Sequence, residues 1–202
     1  MSNSAEFRIL TKIKRTPRGT IYFTDSFQGI GNAKMISKAL ERLVHKGEII
    51  RVATGIYARP KLDRVIGVVM PSLDEIVIAI AKRDRARIVP SGTYALNKLG
   101  LTTQVPTNLV YLTDGAARKV KIGRRYIIFK KATPKNLLAN GAITSLVIQA
   151  LKSIGKNKLT EKDVVKITEL LRLEKPENIK KDMALAPVWM RSILEKGLFI
   201  EE

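Results

Sequence analysis

The chain has 202 residues, 45% of them hydrophobic, enough to bury a core and to make one large or two small domains. Lys and Arg number 37 against 18 Asp and Glu, giving a formal net charge of +19 and a sequence pI of about 10.3, the electrostatic footprint of a nucleic acid or another anionic surface as partner. There is no cysteine, which excludes disulfides, zinc fingers and thiol catalysis together.

The first residues, MSNSAEFRIL, lack the basic start and apolar centre of a secretory signal. Apolar runs such as residues 65–70 and 76–81 are far shorter than the roughly 18 residues needed to cross a bilayer. A soluble, cytoplasmic protein with no membrane partner is expected.

Residues 5–15 place Phe7, Ile9, Leu10 and Ile13 at near-helical spacing before Pro17, Arg18 and Gly19 break the pattern. Residues 20–24 read as a short strand, and residues 25–28 as a minimal second helix ended by Gly29 and Gly31. A longer helix follows over residues 33–46, with Asn32 as its N-cap and Gly47 as its stop. In it Ile36, Ala39, Leu40 and Leu43 form one apolar stripe, leaving Lys34, Ser37, Lys38, Glu41, Arg42 and His45 toward solvent. Residues 48–52 and 56–59 are two strands joined through Ala53, Thr54 and Gly55, with Arg51 and Arg59 flanking the turn. Helix, strand, helix, helix, hairpin is the order of a winged helix-turn-helix. The longer helix is then the reading element, with Asn32, Lys34, Ser37, Lys38 and Arg42 at or near bases and Arg51 and Arg59 on phosphates.

After Pro60 closes the hairpin, residues 61–71 form a hinge or strand. A helix follows over residues 72–84, opened by a capping box of Ser72 and Glu75. Short strands at residues 87–89, 109–113 and 126–131 surround a helix at 92–99, an α+β pattern. Helices are expected at residues 136–140, 143–154, 160–171 and 187–196, the third opened by Thr160 with Asp163. The predicted fold class is therefore α+β in three parts: a winged helix in residues 1–60, a basic α+β domain in residues 61–135, and a helical region in residues 136–202. Charge follows this division. Residues 1–60 carry 11 Lys and Arg against 4 acids, residues 61–135 carry 15 against 5, and residues 136–202 carry 11 against 9. An anionic partner should meet the first two parts.

The stretches KALERLVHKGEIIRVATGIYARP, IVPSGTYALNKLGLTTQVPTNLVYLTDG and KIGRRYIIFKK, within residues 20–135, resemble the AbiEi-type antitoxins of bacterial abortive-infection systems. The block from Pro90 to Pro106 is the most distinctive part of the likeness. The resemblance implies an antitoxin that binds its own operator through the winged helix. It also implies antagonism of a nucleotidyltransferase-type toxin without a stable antitoxin–toxin complex.

Chemistry for an enzyme is scarce, and no catalytic residue, cofactor or metal is expected. His45 is the only histidine, with no Cys or second His to complete a site. Gly155, Lys156 and Asn157 lack the upstream Gly and following hydroxyl of a phosphate loop, and Ser153 with Lys156 has no neighbouring oxyanion hole. Asp63, Asp74, Glu75, Asp84 and Asp114 are the only acids of residues 61–135, so a metal-dependent nuclease is a weak alternative. In the middle block Ser91, Gly92, Tyr94, Asn97, Gln104 and Pro106 either line a recognition surface or serve structure. On the structural reading Gly92 and Gly100 are turns, Tyr94, Leu96, Leu99 and Leu101 are core, and Asn97 with Gln104 satisfies loop backbone. Arg118, Lys119, Lys121, Arg124 and Arg125, around a hairpin tip at Gly123, are a second candidate nucleic-acid contact and the basis of an alternative RNA-binding reading.

Overall fold

The computed structural model describes residues 4–199. They fall into two compact units, residues 4–80 with Lys121–Arg124, and residues 81–120 with 125–199. The fold class is α+β.

In the first unit, α1 (Ala5–Lys14) is opened by Ser4, whose Oγ accepts from Phe7 N at 3.3 Å. Strand β1 (Ile21–Phe23) follows, then a 3-10 turn at Thr24–Phe27 in place of a second α-helix, then α2 (Ala33–His45). Asn32 caps α2 as its position predicts, Oδ1 accepting from Met35 N at 2.9 Å. Strands β2 (Ile50–Ala53) and β3 (Ile56–Ala58) close the series, with sheet order β1-β3-β2 and both pairings antiparallel. The turn is only Thr54 and Gly55; Gly55 has φ +72°, the left-handed backbone this tight connection requires. Ile9, Ile13, Tyr22, Phe27, Ile36, Leu40, Leu43 and Ile49 form the core. All four positions of the predicted α2 stripe are buried.

Residues 61–71, expected as a hinge or strand, form a separate two-stranded arm, β4 (Lys61–Asp63) with β5 (Gly67–Val69). Asp63 Oδ1 accepts from Val65 N at 2.8 Å and Ile66 N at 3.0 Å, which folds the tip. Helix α3 (Leu73–Asp84) has the predicted capping box: Ser72 N donates to Glu75 Oε2 at 2.7 Å and Glu75 N to Ser72 Oγ at 3.2 Å.

A four-stranded sheet follows, β6 (Ile88–Pro90), β7 (Asn108–Thr113), β8 (Arg118–Ile122) and β9 (Arg125–Lys131), in the order β6-β7-β9-β8. The chain leaves β7, forms the outer strand β8, and turns at Gly123 to fill the gap as β9, parallel to β7 from Asn108↔Tyr126 to Thr113↔Lys131. Strand β8 is absent from the sequence expectation. Helix α4 (Thr93–Lys98) supplies Ala95 and Leu99 nearby to the same core as α5 (Ala142–Ile154), α6 (Glu161–Leu171), α7 (Pro176–Met183) and α8 (Val188–Lys196). Residues on both sides of position 135 thus contribute to one core. The helix expected at residues 136–140 is a 3-10 turn at Pro134–Asn136 followed by irregular chain, and α7 was not expected.

Two acids explain why α5 starts where it does. Buried Asp182 on α7 accepts from Asn140 N and Gly141 N, both at 2.8 Å, and Glu174 Oε2 accepts from Ile143 N at 2.9 Å. Amides at and just before the start of α5, left without intrahelical partners by helix geometry, are thus satisfied by residues 31 to 42 positions further on. Gly141 fits this approach because a Cβ there would stand 2.6 Å from Glu174 Oε2. Burial pushes the Glu174 carboxyl up. The hydrogen bonds from Asn178 and from the amides of Lys175, Ile143 and Thr144 outweigh it, so the group titrates below its ordinary value.

Asp182→Ala should cost the second unit about 2 kcal/mol in urea denaturation, since the buried Gly141 amide and the part-buried Asn140 amide lose their acceptor. Because the folded-state pKa of Glu174 is depressed, its contribution is present above the ordinary carboxylate range and is lost as pH falls through and below that range. Glu174→Gln should flatten the acid side of a melting-temperature profile.

Candidate nucleic-acid interface

The stripe of Ile36, Ala39, Leu40 and Leu43 fixes which way α2 faces. On the exposed side Lys34, Ser37 and Lys38 make no ion pair or hydrogen bond through their side chains among the described residues. Toward β2 and β3 a groove of about 470 Å³ runs along the helix, lined by Ser37, Glu41, Val44 and His45 from α2, Arg51 and Tyr57 from the strands, and the turn at Thr54 and Gly55. Arg51 is exposed on β2 opposite Tyr57 and is also unpaired. Ser37 and Arg51 thus line one groove, and Lys34 and Lys38 are exposed on the same helix. Glu41 and His45 belong to it as well. The same helical spacing that puts Ser37 on this side repeats at Glu41 and, a turn later, at Val44 and His45, so the signal lay in the sequence.

Three expected contacts lie elsewhere. Asn32 has its side-chain oxygen committed to the α2 cap. Arg42 stands on the α1 side of the helix, 3.7 Å from Glu6, which also takes a 2.5 Å hydrogen bond from Lys46. That bond from Lys46 and the charge of Arg42 hold the Glu6 carboxyl below its ordinary value. Arg59 does not flank the hairpin turn. It follows β3 at the opposite end of the strand, and its guanidinium donates to Thr16 O and, at 3.1 Å, to Lys14 O, closing the C-terminal end of α1. The turn is tied back as well, Thr24 N donating to Gly55 O at 3.1 Å, so it is no long loop.

Other cations of the unit are also bound to the fold. Arg8 donates to Ile30 O at 3.2 Å, Lys12 to Ser26 O at 2.6 Å, Arg18 to Pro60 O at 3.3 Å, and Lys14 pairs with Glu48 at 3.4 Å.

The basic run of β8 and β9 disperses in the same manner. Arg118 pairs with Asp84 and lies 5.3 Å from the Phe129 ring centre. Arg125 donates to Pro106 O at 2.9 Å and Thr107 O at 3.3 Å. Lys119 sits over the Tyr126 ring at 3.8 Å. Lys121 and Arg124 remain exposed beside the turn at Gly123, so that turn does not present all five cations together. In the middle block the structural reading accounts for what is seen. Asn97 Nδ2 donates to Gln104 O at 3.1 Å, Gly92 and Gly100 have φ +62° and +64°, and Tyr94 and Leu99 are buried. Among the described residues no group of three His, Asp or Glu side chains gathers as a metal-holding set, and no helix is long and apolar enough to cross a membrane.

An α+β chain with an exposed helical face and flanking groove is the class that the geometry defines. The chain belongs to a family of unknown function, DUF6088, whose pattern matches residues 8–179. It is also similar to the crystal structure of the RV2827C protein from Mycobacterium tuberculosis, at 12% identity over 95% of this chain and 81% of that chain, with a TM-score of 0.45. No curated protein sequence matches.

The two arginines of the hairpin region separate cleanly in a stability measurement. Arg59→Ala should cost the first unit about 1–2 kcal/mol by leaving the carbonyls of Lys14 and Thr16 without this donor. Arg51→Ala, with no partner to lose, should stay within about 0.5 kcal/mol.

Proposed function

We propose that the first unit is a winged-helix module that binds duplex DNA, and that the protein is a non-enzymatic repressor acting at its own operator. The observation that carries this reading is the α2 face with its groove. Ser37 and Arg51 line the groove, Lys34 and Lys38 are exposed on the same helix, and none of the four has a side-chain partner among the described residues, while most neighbouring cations are engaged by the fold. A 13-residue helix is about 20 Å long and fits a major groove about 12 Å wide. Lys38 and Ser37 offer donors to base edges, and Ser37 and Glu41 offer acceptors. Arg51 on the groove's flank is suited to a phosphate. The turn of Thr54 and Gly55 is too short to enter a minor groove deeply, so the wing's role is anchoring.

The antitoxin part of the proposal rests on the resemblance of residues 20–135 to AbiEi-type antitoxins. On that basis the protein is cytoplasmic, needs no cofactor, and counters a nucleotidyltransferase-type toxin without holding it in a stable complex. The second unit would then carry the antagonism. Lys121 and Arg124 are the observation that favours a second, RNA-binding reading.

The test is fluorescence anisotropy with duplex DNA taken from upstream of the coding sequence, beside random duplex and structured RNA. Ser37→Ala and Lys38→Ala should erode discrimination between the two duplexes by about 1–3 kcal/mol, while Arg51→Ala should weaken both equally. The three uncommitted cations Lys34, Lys38 and Arg51 set a slope of log K against log salt near −3. Equal effects of all three substitutions, or tighter binding to RNA than to either duplex, would contradict the reading.

A further inference from the structure

We propose that the β4–β5 arm joins two copies of this chain. The arm is the most exposed apolar structure of the first unit. Val65 and Ile66 at its tip are 91% and 72% exposed, and Leu62, Val68 and Met70 are each more than half exposed. Among the described residues its strands pair only with each other, Leu62 directly opposite Val68, so both outer edges are open to another strand. A two-stranded hairpin in water is marginal by itself, yet this one is held at the tip by Asp63 and at the base by Lys61, whose Nζ is 3.1 Å from Glu75 Oε1. A fixed apolar arm of several hundred Å² is a docking surface rather than a loop.

Charge selects the occupant. Residues 61–80 carry Lys61 and Arg64 against Asp63, Asp74 and Glu75 in a chain of net charge +19. That local balance disfavours a polyanion and removes the repulsion that would keep two basic copies apart elsewhere. The arm is also self-complementary. Arg64 makes no ion pair among the described residues and stands next to Asp63, so two arms meeting antiparallel about a two-fold axis oppose each arginine to an acid. Two such arms bury on the order of 1,000 Å², the lower range for a stable contact. The arm begins at Pro60, at the end of β3 away from the Thr54 and Gly55 turn, which leaves the α2 groove of each copy uncovered. Where the DNA-binding reading above holds, the pair would match a two-fold operator with two half-sites.

Analytical ultracentrifugation of the full chain without DNA tests this independently of that reading. The wild type should sediment at twice the 22.5 kDa of one chain. Val65→Asp with Ile66→Asp should halve that mass with an unchanged circular dichroism spectrum, since neither side chain is buried. Leu173→Asp, at a 75% exposed apolar position in the second unit, should leave the mass doubled. A wild type at single mass throughout a concentration series, or a tip variant that keeps the doubled mass, overturns the proposal. So does a monomer whose tip variant loses duplex DNA or vesicle binding, which would reassign the arm to that partner.

Discussion

The packing of α2 on α1 governs what the first unit can offer to a partner. Leu40 and Leu43 are fully buried, with Ile36 and Ala39 beside them, against Ile9 and Ile13. Each such leucine contributes on the order of 1.5–3 kcal/mol by leaving water. Together they remove any freedom of α2 to roll about its axis. The exposed face is then fixed as the side bearing Lys34, Ser37 and Lys38, and the Asn32 cap fixes where that face begins. The hairpin follows from the same packing, since Ile49 and Tyr57 join the core and place β2 and β3 along one side of the helix. The groove is a consequence of these contacts.

A chain with 37 basic residues must settle each of them. In the first unit Arg8, Lys12, Arg18 and Arg59 donate to backbone carbonyls, and Lys14, Arg42 and Lys46 meet Glu48 or Glu6. These contacts close helix ends and loops. In the second unit Arg118 and Arg125 are spent similarly. Net charge therefore overstates the electrostatic interface. What it measures is long-range attraction, to which every cation contributes; close contact falls to the few left uncommitted. The exposed ion pairs themselves add little stability in salt.

Features written in local chemistry were legible. The caps at Asn32, Ser72 with Glu75, and Thr160 with Asp163 fall where the sequence places them, because each is a contact over three residues. The α2 stripe and the Gly55 turn are local too. The role of Arg59 was hidden because its acceptors, Lys14 and Thr16, are more than 40 residues away. Residues 136–140 looked helical because Leu137 and Leu138 sit in a short apolar run. Leu137 N instead closes a 3-10 turn on Pro134 O, and Asn140 N donates to Asp182, a long-range acceptor no window contains. Strand β8 was missed although Lys119, Val120, Lys121 and Ile122 alternate with period two. Helix α7 was missed although Pro176 and Glu177 are apt first-turn residues. In both cases a high density of lysine masked the pattern.

The proposed DNA-binding surface is α2 with its groove. The most direct measurement is an NMR titration of the isotope-labelled full chain with duplex from upstream of its coding sequence. Amide shifts should concentrate at Lys34, Ser37, Lys38, Glu41 and Arg51 and saturate with the duplex. Shifts confined to Lys121, Arg124 and the second unit, with α2 unmoved at saturation, would contradict it.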